Sequence, residues 1–150
     1  MIYPYFIYCI LAWGCACKSL LTPLLLLQKK LIRILTNSGY YAHTEPLFKE
    51  LKLLKLDDLY ILNSQILMYQ CIIMNKYPTL RDSITNTQAN HEHGTRTVDL
   101  RLPYCRTTKS KQRLLYQSIK NWNSVPYELK SITSLKAFKT ECKISLLNNY

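Results

Sequence analysis

Asp57 and Asp58 form the one adjacent acidic pair in a chain that holds only nine carboxylates. Paired aspartates can hold two metal ions about a reacting phosphate, so phosphoryl transfer is the first chemistry to weigh. The surroundings point elsewhere. Lys55-Leu56 precedes the pair, the leucines around it recur at helical spacing, and no carboxylate precedes Glu45 to supply a further upstream ligand. At a helix start, two negative charges instead complement the positive end of the helix dipole. His43 has no serine or cysteine nucleophile at a recognisable spacing and reads as a polar residue where a helix begins. His91 and His93 form a His-x-His, with no cysteine at the short spacing that zinc motifs use.

The six cysteines, at positions 9, 15, 17, 71, 105 and 142, are scattered and include no Cys-x-x-Cys. No secretory signal accompanies them, so reduced intracellular thiols packed as small hydrophobes are expected. Only three glycines occur, Gly14, Gly39 and Gly94, and no two have the spacing of a phosphate-cradling loop. The expectation is a chain with no catalytic residues, no metal site and no cofactor.

Charge carries more information than chemistry. Twenty Lys+Arg against nine Asp+Glu leave a formal charge of +11. Such an excess suits a polyanionic partner, either nucleic acid or an acidic membrane surface. The imbalance is uneven: residues 91–150 carry a net +7 and residues 1–90 a net +4. Arg96, Arg101, Arg106, Lys109, Lys111 and Arg113 fall within eighteen residues, with Tyr104 and Tyr116 among or beside them. Cations interleaved with aromatics suit a phosphate track with stacking platforms, although a merely solvated run has the same composition. Lys29, Lys30 and Arg33 form a second group whose spacing fits either a solvated face or a row laid along a phosphate backbone.

The elements that must position these groups read as helices. Met1–Cys17 carries no charge; it is shorter than the roughly 20 apolar residues of a membrane span and is expected to be a buried helix, with a membrane segment as the competing reading. Thr22 as cap, Pro23 at the first position and Gly39 past the end bracket a helix whose apolar stripe is Leu24, Leu27, Leu31, Ile34 and Leu35. Further helices are expected from Thr44 to about Leu51, and from Leu56 to Met74 with Leu56, Leu59, Tyr60, Leu62, Ile66, Tyr69 and Ile73 in register; Pro78 follows its end. Residues 82–99 are rich in Thr, Asn and His and read as a linker. Helices over 110–121, 125–131 and 134–147 complete an all-α chain, the last capped by Ser134 with Leu135, Phe138, Cys142 and Leu146 on one side.

Several strings, taken in order, resemble one family. Ile2-Tyr-Pro-Tyr-Phe-Ile-Tyr-Cys-Ile-Leu-Ala-Trp-Gly14, Leu27-Gln-Lys-Lys-Leu-Ile-Arg-Ile34, His43-Thr-Glu-Pro-Leu-Phe-Lys-Glu-Leu51 and Leu53-Leu-Lys-Leu-Asp-Asp-Leu-Tyr60 are similar to the stretch after the polymerase core of non-LTR retrotransposon reverse transcriptases of the jockey-like type. Thr95-Arg96, Leu102-Pro103, Arg106-Thr107, Asn121-Trp-Asn-Ser-Val-Pro126, Ser134-Leu135 and Phe138-Lys139 continue the pattern. The resemblance implies a thumb-like helical region over 1–81, the linker 82–99 and a basic helical region over 100–150. It implies RNA and RNA–DNA hybrid as partners, with the polymerase palm as an intramolecular one. The palm's aspartates and their Mg2+ site would lie outside these residues, so this resemblance to an RNA-directed DNA polymerase carries no polymerase activity with it. The chain then reads as a truncated reading frame starting at an internal methionine, located in the nucleus or cytoplasm and without a small-molecule substrate. Two alternatives remain at this stage: a basic protein anchored to a membrane by residues 1–17, and a helical module kept for binding a protein partner.

Overall fold

The structure, a computed structural model, describes residues 3–85 and 100–150. Among these residues the chain forms ten helices and no strand, which is the expected all-α fold. In order they are α1 (Tyr3–Ile7), α2 (Ile10–Trp13), α3 (Lys18–Leu35), α4 (Thr44–Glu50), α5 (Leu56–Ile72), α6 (Pro78–Thr85), α7 (Thr108–Lys111), α8 (Leu114–Asn123), α9 (Tyr127–Lys130) and α10 (Leu135–Asn148). α5 is the axis of the molecule: α2, α3, α6, α8 and α10 all pack on it. Its side chains explain this, since Leu56, Leu59, Tyr60, Ser64, Gln65, Met68, Tyr69 and Cys71 are all buried. A helix covered on several sides needs apolar or small residues around most of its circumference.

Two apolar clusters share α5. The larger joins Met68, Tyr69 and Ile84 to Ile119, Trp122, Val125, Phe138 and Cys142, so residues on both sides of 86–99 build one core. Tyr69 stacks on Phe138 at 4.5 Å between ring centroids, and its hydroxyl donates to the Ile132 carbonyl at 2.7 Å. The smaller cluster holds Ile10, Leu54, Leu59 and Tyr60. α10 presents the expected side, with Phe138 and Cys142 buried and Leu135 and Leu146 packed against the clusters. Ser134 does stand at its N-cap, but the hydroxyl makes no capping bond.

Asp57 and Asp58 occupy the first turn of α5, as the dipole argument expects. The amides at that end are satisfied from far along the chain. Gln28 of α3 is buried and grips both sides of Lys55: its Nε2 donates to the Leu54 carbonyl at 2.9 Å, and its Oε1 accepts the Leu56 amide at 3.0 Å. The Lys55 amide donates to the Tyr150 hydroxyl at 2.7 Å, and that hydroxyl donates to Asp58.

Several expectations are corrected. Residues 1–17 do not form one buried helix. Cys9, in the left-handed region at φ 49°, splits them into α1 and α2, and Tyr5 and Tyr8 are exposed while Ile10 is buried. α3 begins at Lys18, after an extended Cys17, so Thr22 is not its cap: its hydroxyl donates back to the Lys18 carbonyl at 2.7 Å. Pro23 sits inside the helix and removes the amide that would bond the Ser19 carbonyl. The helix also turns a different side inward. Gln28 and Ile32 are buried, while Leu27, Ile34 and Leu35 of the expected stripe are exposed, Ile34 at 74%.

Gly39 does not end α3. Asn37 takes the left-handed conformation at φ 50°, and the Ser38 amide reaches the Arg33 carbonyl at 2.9 Å while the Asn37 amide reaches that of Ile34 at 3.2 Å. These are the paired bonds of a Schellman motif, which asparagine can close in place of glycine. α6 was not anticipated as a helix. It places Pro78 at its first position, where the missing amide costs nothing, and carries residues 82–85 of the expected linker as helix. Residues 86–99 lie outside the described residues. The helix expected over 110–121 is two, α7 and α8, because Arg113 is extended between them.

Candidate nucleic-acid interface

The basic segment is held at both ends by ordinary hydrogen-bonding devices. At its start, Asn123 at the end of α8 grips residue 100 twice: the Leu100 amide donates to its Oδ1 at 3.0 Å, and its Nδ2 donates to the Leu100 carbonyl at 2.8 Å. Leu100 itself packs against the larger cluster. Beyond this pin the chain stays non-helical through Arg106, with Pro103 lacking an amide for helix bonding. Thr107 then caps α7, its hydroxyl oxygen accepting the Ser110 amide at 3.2 Å.

The cations on this segment face water. Arg101, Arg106, Lys109, Lys111 and Arg113 are all exposed. Among the described residues none of the five pairs with a carboxylate. Tyr104, between Arg101 and Arg106, is 92% exposed, whereas Tyr116 is half-buried in α8. An exposed phenol ring in a run of unpaired cations offers a flat apolar face and positive charge along one segment. Bases stack on such a face while phosphates meet the charge. Arg96, the sixth cation expected here, lies outside the described residues, as do His91 and His93.

The α3 group does not act as one row. Arg33 is half-buried, and its Nε donates to the Ala42 carbonyl at 3.0 Å, tying the α3–α4 connection back to the helix. Lys29 lies close enough to Glu45 for its charge to help lower that carboxyl's pKa. The larger cause there is Lys55, whose Nζ meets Glu45 Oε1 at 2.8 Å. Lys30 is exposed. It shares a surface depression of about 420 Å3 with Arg33, Ile34, Asn37, Ser38 and Tyr40. Tyr40 and Tyr41, in edge contact at 5.0 Å and both exposed, are aromatic surface that the sequence reading passed over. The signal for them was a Tyr-Tyr directly after the Gly39 break, a few residues from the cations.

Among the described residues no group of three or more His, Cys, Asp or Glu side chains is placed to hold a metal ion. No helix there is long and apolar enough to cross a membrane. Burial holds Asp58 above its ordinary pKa despite the Tyr150 hydroxyl and Lys55, and adjacent Asp57 adds to that rise, so the two carboxyls differ in environment. No protein-family model, curated protein or solved structure matches the chain.

Proposed function

We propose that the chain is a nucleic-acid-binding helical module whose contact surface is Arg101–Arg113, with Tyr104 as its stacking platform. The observation that carries this reading is one stretch of chain: five exposed cations without carboxylate partners within thirteen residues that also hold Tyr104, 92% exposed. The resemblance of the ordered strings to the thumb and post-thumb region of non-LTR reverse transcriptases supports the same reading and suggests RNA–DNA hybrid and element RNA as ligands. Binding, not polymerisation, is the property assigned to these 150 residues. A second reading, docking onto another protein body, is favoured by the exposed Leu20, Leu27, Ile34 and Leu35 of α3.

Fluorescence anisotropy with labelled RNA–DNA hybrid and single-stranded RNA, over a range of salt concentrations, tests the proposal. Each phosphate contact contributes about −0.9 to the slope of log K against log salt for duplexes. Replacing Arg101, Arg106, Lys109, Lys111 and Arg113 by Gln is therefore expected to flatten the hybrid slope by up to roughly 4–5. Tyr104→Ala is expected to weaken single-strand binding by about 1–3 kcal/mol, the usual worth of one base stack. Lys29→Gln and Arg33→Gln are expected to do less than Lys30→Gln, since their charges already serve the fold. Unchanged affinity and slope in the five-site variant would overturn the proposal.

A further inference from the structure

The turn between α2 and α3, the start of α5 and the second half of α8 line an open pocket of about 390 Å3. Cys15, Cys17, Lys18, Asp57, Tyr60 and Lys120 are among its lining residues. The walls come close at Gly14, where an added Cβ would meet Tyr60 Cδ2 at 2.5 Å. Tyr60 is only 7% exposed, and its hydroxyl has no hydrogen-bond partner among the described residues. Burial, with a smaller contribution from Cys15, pushes its pKa up to about 12, so the hydroxyl keeps its proton and offers a donor. A buried donor left without an acceptor is uncommon, and here the ring of Tyr60, not its hydroxyl, faces Gly14.

Two thiols share this space, two residues apart, with the chain bending at Ala16 between them. Cys17 is the N-cap residue of the eighteen-residue α3, half-buried, with its Sγ 3.1 Å from the Ser19 hydroxyl. That hydroxyl and the Leu20 amide hold the thiol below its ordinary pKa. Cys71 and Cys142 are the opposite case: burial pushes both up, Cys142 to about 11. Thiolates are the nucleophiles in exchange chemistry, so the fold separates one activated thiol from two inert ones.

We infer that Cys17 and Cys15 form a thiol–disulfide exchange site whose reactant is a small disulfide bearing carboxylates, seated in this pocket. The Cys17 thiolate attacks one sulfur of the disulfide RSSR, forming Cys17–S–S–R and releasing RS−, which takes a proton from solvent. Cys15 gives its proton to solvent and attacks Cys17 Sγ, expelling the second RS− and closing a Cys15–Cys17 disulfide. Two protein thiols are oxidised and one RSSR is reduced to two RSH. The exposed Lys18 and Lys120 supply the donors for carboxylates, and Asp57 can receive an amino group.

The reduced full chain, incubated with oxidised glutathione, acid-quenched over time and mapped by peptide mass, tests the site. Cys17 is expected to react several-fold faster than exposed Cys9 or half-buried Cys105. Wild type is expected to end with a Cys15–Cys17 disulfide, Cys15→Ser to stop at a glutathione adduct on Cys17, and Cys17→Ser to lose the fast phase. Cystamine, a cationic disulfide, is expected to lag behind oxidised glutathione at Cys17 when each rate is taken relative to Cys9 of the same sample. Lys18→Gln with Lys120→Gln is expected to narrow that gap. Labelling of Cys9 or Cys105 at the rate of Cys17 would overturn the exchange site, and equal relative rates for the two disulfides would overturn the carboxylate preference. Because every comparison is made among cysteines of one molecule, a general loss of folding would show as labelling of Cys71 and Cys142.

Discussion

Gln28→Ala removes both partners that α3 supplies to the start of α5. The Leu54 carbonyl and the Leu56 amide, on residues almost wholly buried, would then face no acceptor or donor in the protein. Each buried group left unsatisfied costs about 1–3 kcal/mol, so the pair sums to roughly 2–6 kcal/mol unless water enters the vacated space. A domain of ordinary stability has only about 5–15 kcal/mol in hand. Ile34→Gln, on the same helix, is the paired control: at 74% exposed it is expected to shift stability by no more than about 0.5 kcal/mol. Urea denaturation followed by far-ultraviolet circular dichroism, with linear extrapolation, reads both. Gln28→Leu separates the causes, because it refills most of the volume but restores neither bond, and it is expected to remain nearly as destabilised as the alanine variant. A loss under about 1 kcal/mol for Gln28→Ala, or a larger loss for Ile34→Gln, would refute the assignment of the docked side of α3.

Lys52 ends α4 in the left-handed region at φ 52°, with the Leu53 amide reaching the Phe48 carbonyl at 3.0 Å. A side chain costs roughly 1–2 kcal/mol there, so Lys52→Gly is expected to raise stability by about 1 kcal/mol after its greater unfolded-state entropy is charged against it. Asp58 sets a pH dependence of definite sign. Burial raises its folded pKa above the unfolded value of about 3.9, so the native state binds the extra proton and stability falls as pH rises through that window. Asp58→Asn is expected to remove this fall, seen as a flatter acid limb in stability against pH than wild type, whereas a parallel limb would refute it. Asn123→Ala breaks the double grip on Leu100. It is expected to weaken nucleic-acid binding while leaving the salt slope unchanged, because the cations remain and only the cost of ordering them moves to the binding step.

The parts of the fold legible in the sequence were those where one residue pattern had one partner. Leu135, Phe138, Cys142 and Leu146 meet a core already supplied by α5 and α8, so helical spacing alone located that side. Asp57-Asp58 marked a helix start because the dipole acts locally. α3 was different. Its leucines offer an apolar side at helical spacing, yet the side that docks is the one carrying Gln28, whose partners lie 26 and 28 residues away at the unsatisfied start of α5. Periodicity reports which residues share a side; it holds no information about which side finds a partner. Helix ends misled for a related reason. With three glycines in the chain, Asn37, Lys52 and Asn75 adopt left-handed conformations at helix ends, and a search for glycine passes over them.

The same limit governs the cations. By composition, Lys29, Lys30 and Arg33 and the run from Arg101 to Arg113 are equivalent groups of positive charge. The fold distinguishes them through what lies within reach. Glu45 stands across from Lys29 and Lys55, and the Ala42 carbonyl takes Arg33, so the α3 group is largely spent on closing the first half of the chain. The second half offers its cations little of this. Its described carboxylates, Glu128 and Glu141, sit on α9 and α10, and the Asn123 pin at the end of α8 fixes the start of the basic segment. Charge that a fold does not neutralise internally must be met by solvent ions or by a partner, and counterions released from that surface are the driving force available to a polyanion. Tyr104 adds what a counterion cannot use, an exposed flat ring within the same stretch of chain, and a base is the group that the proposed binding mode would stack on it.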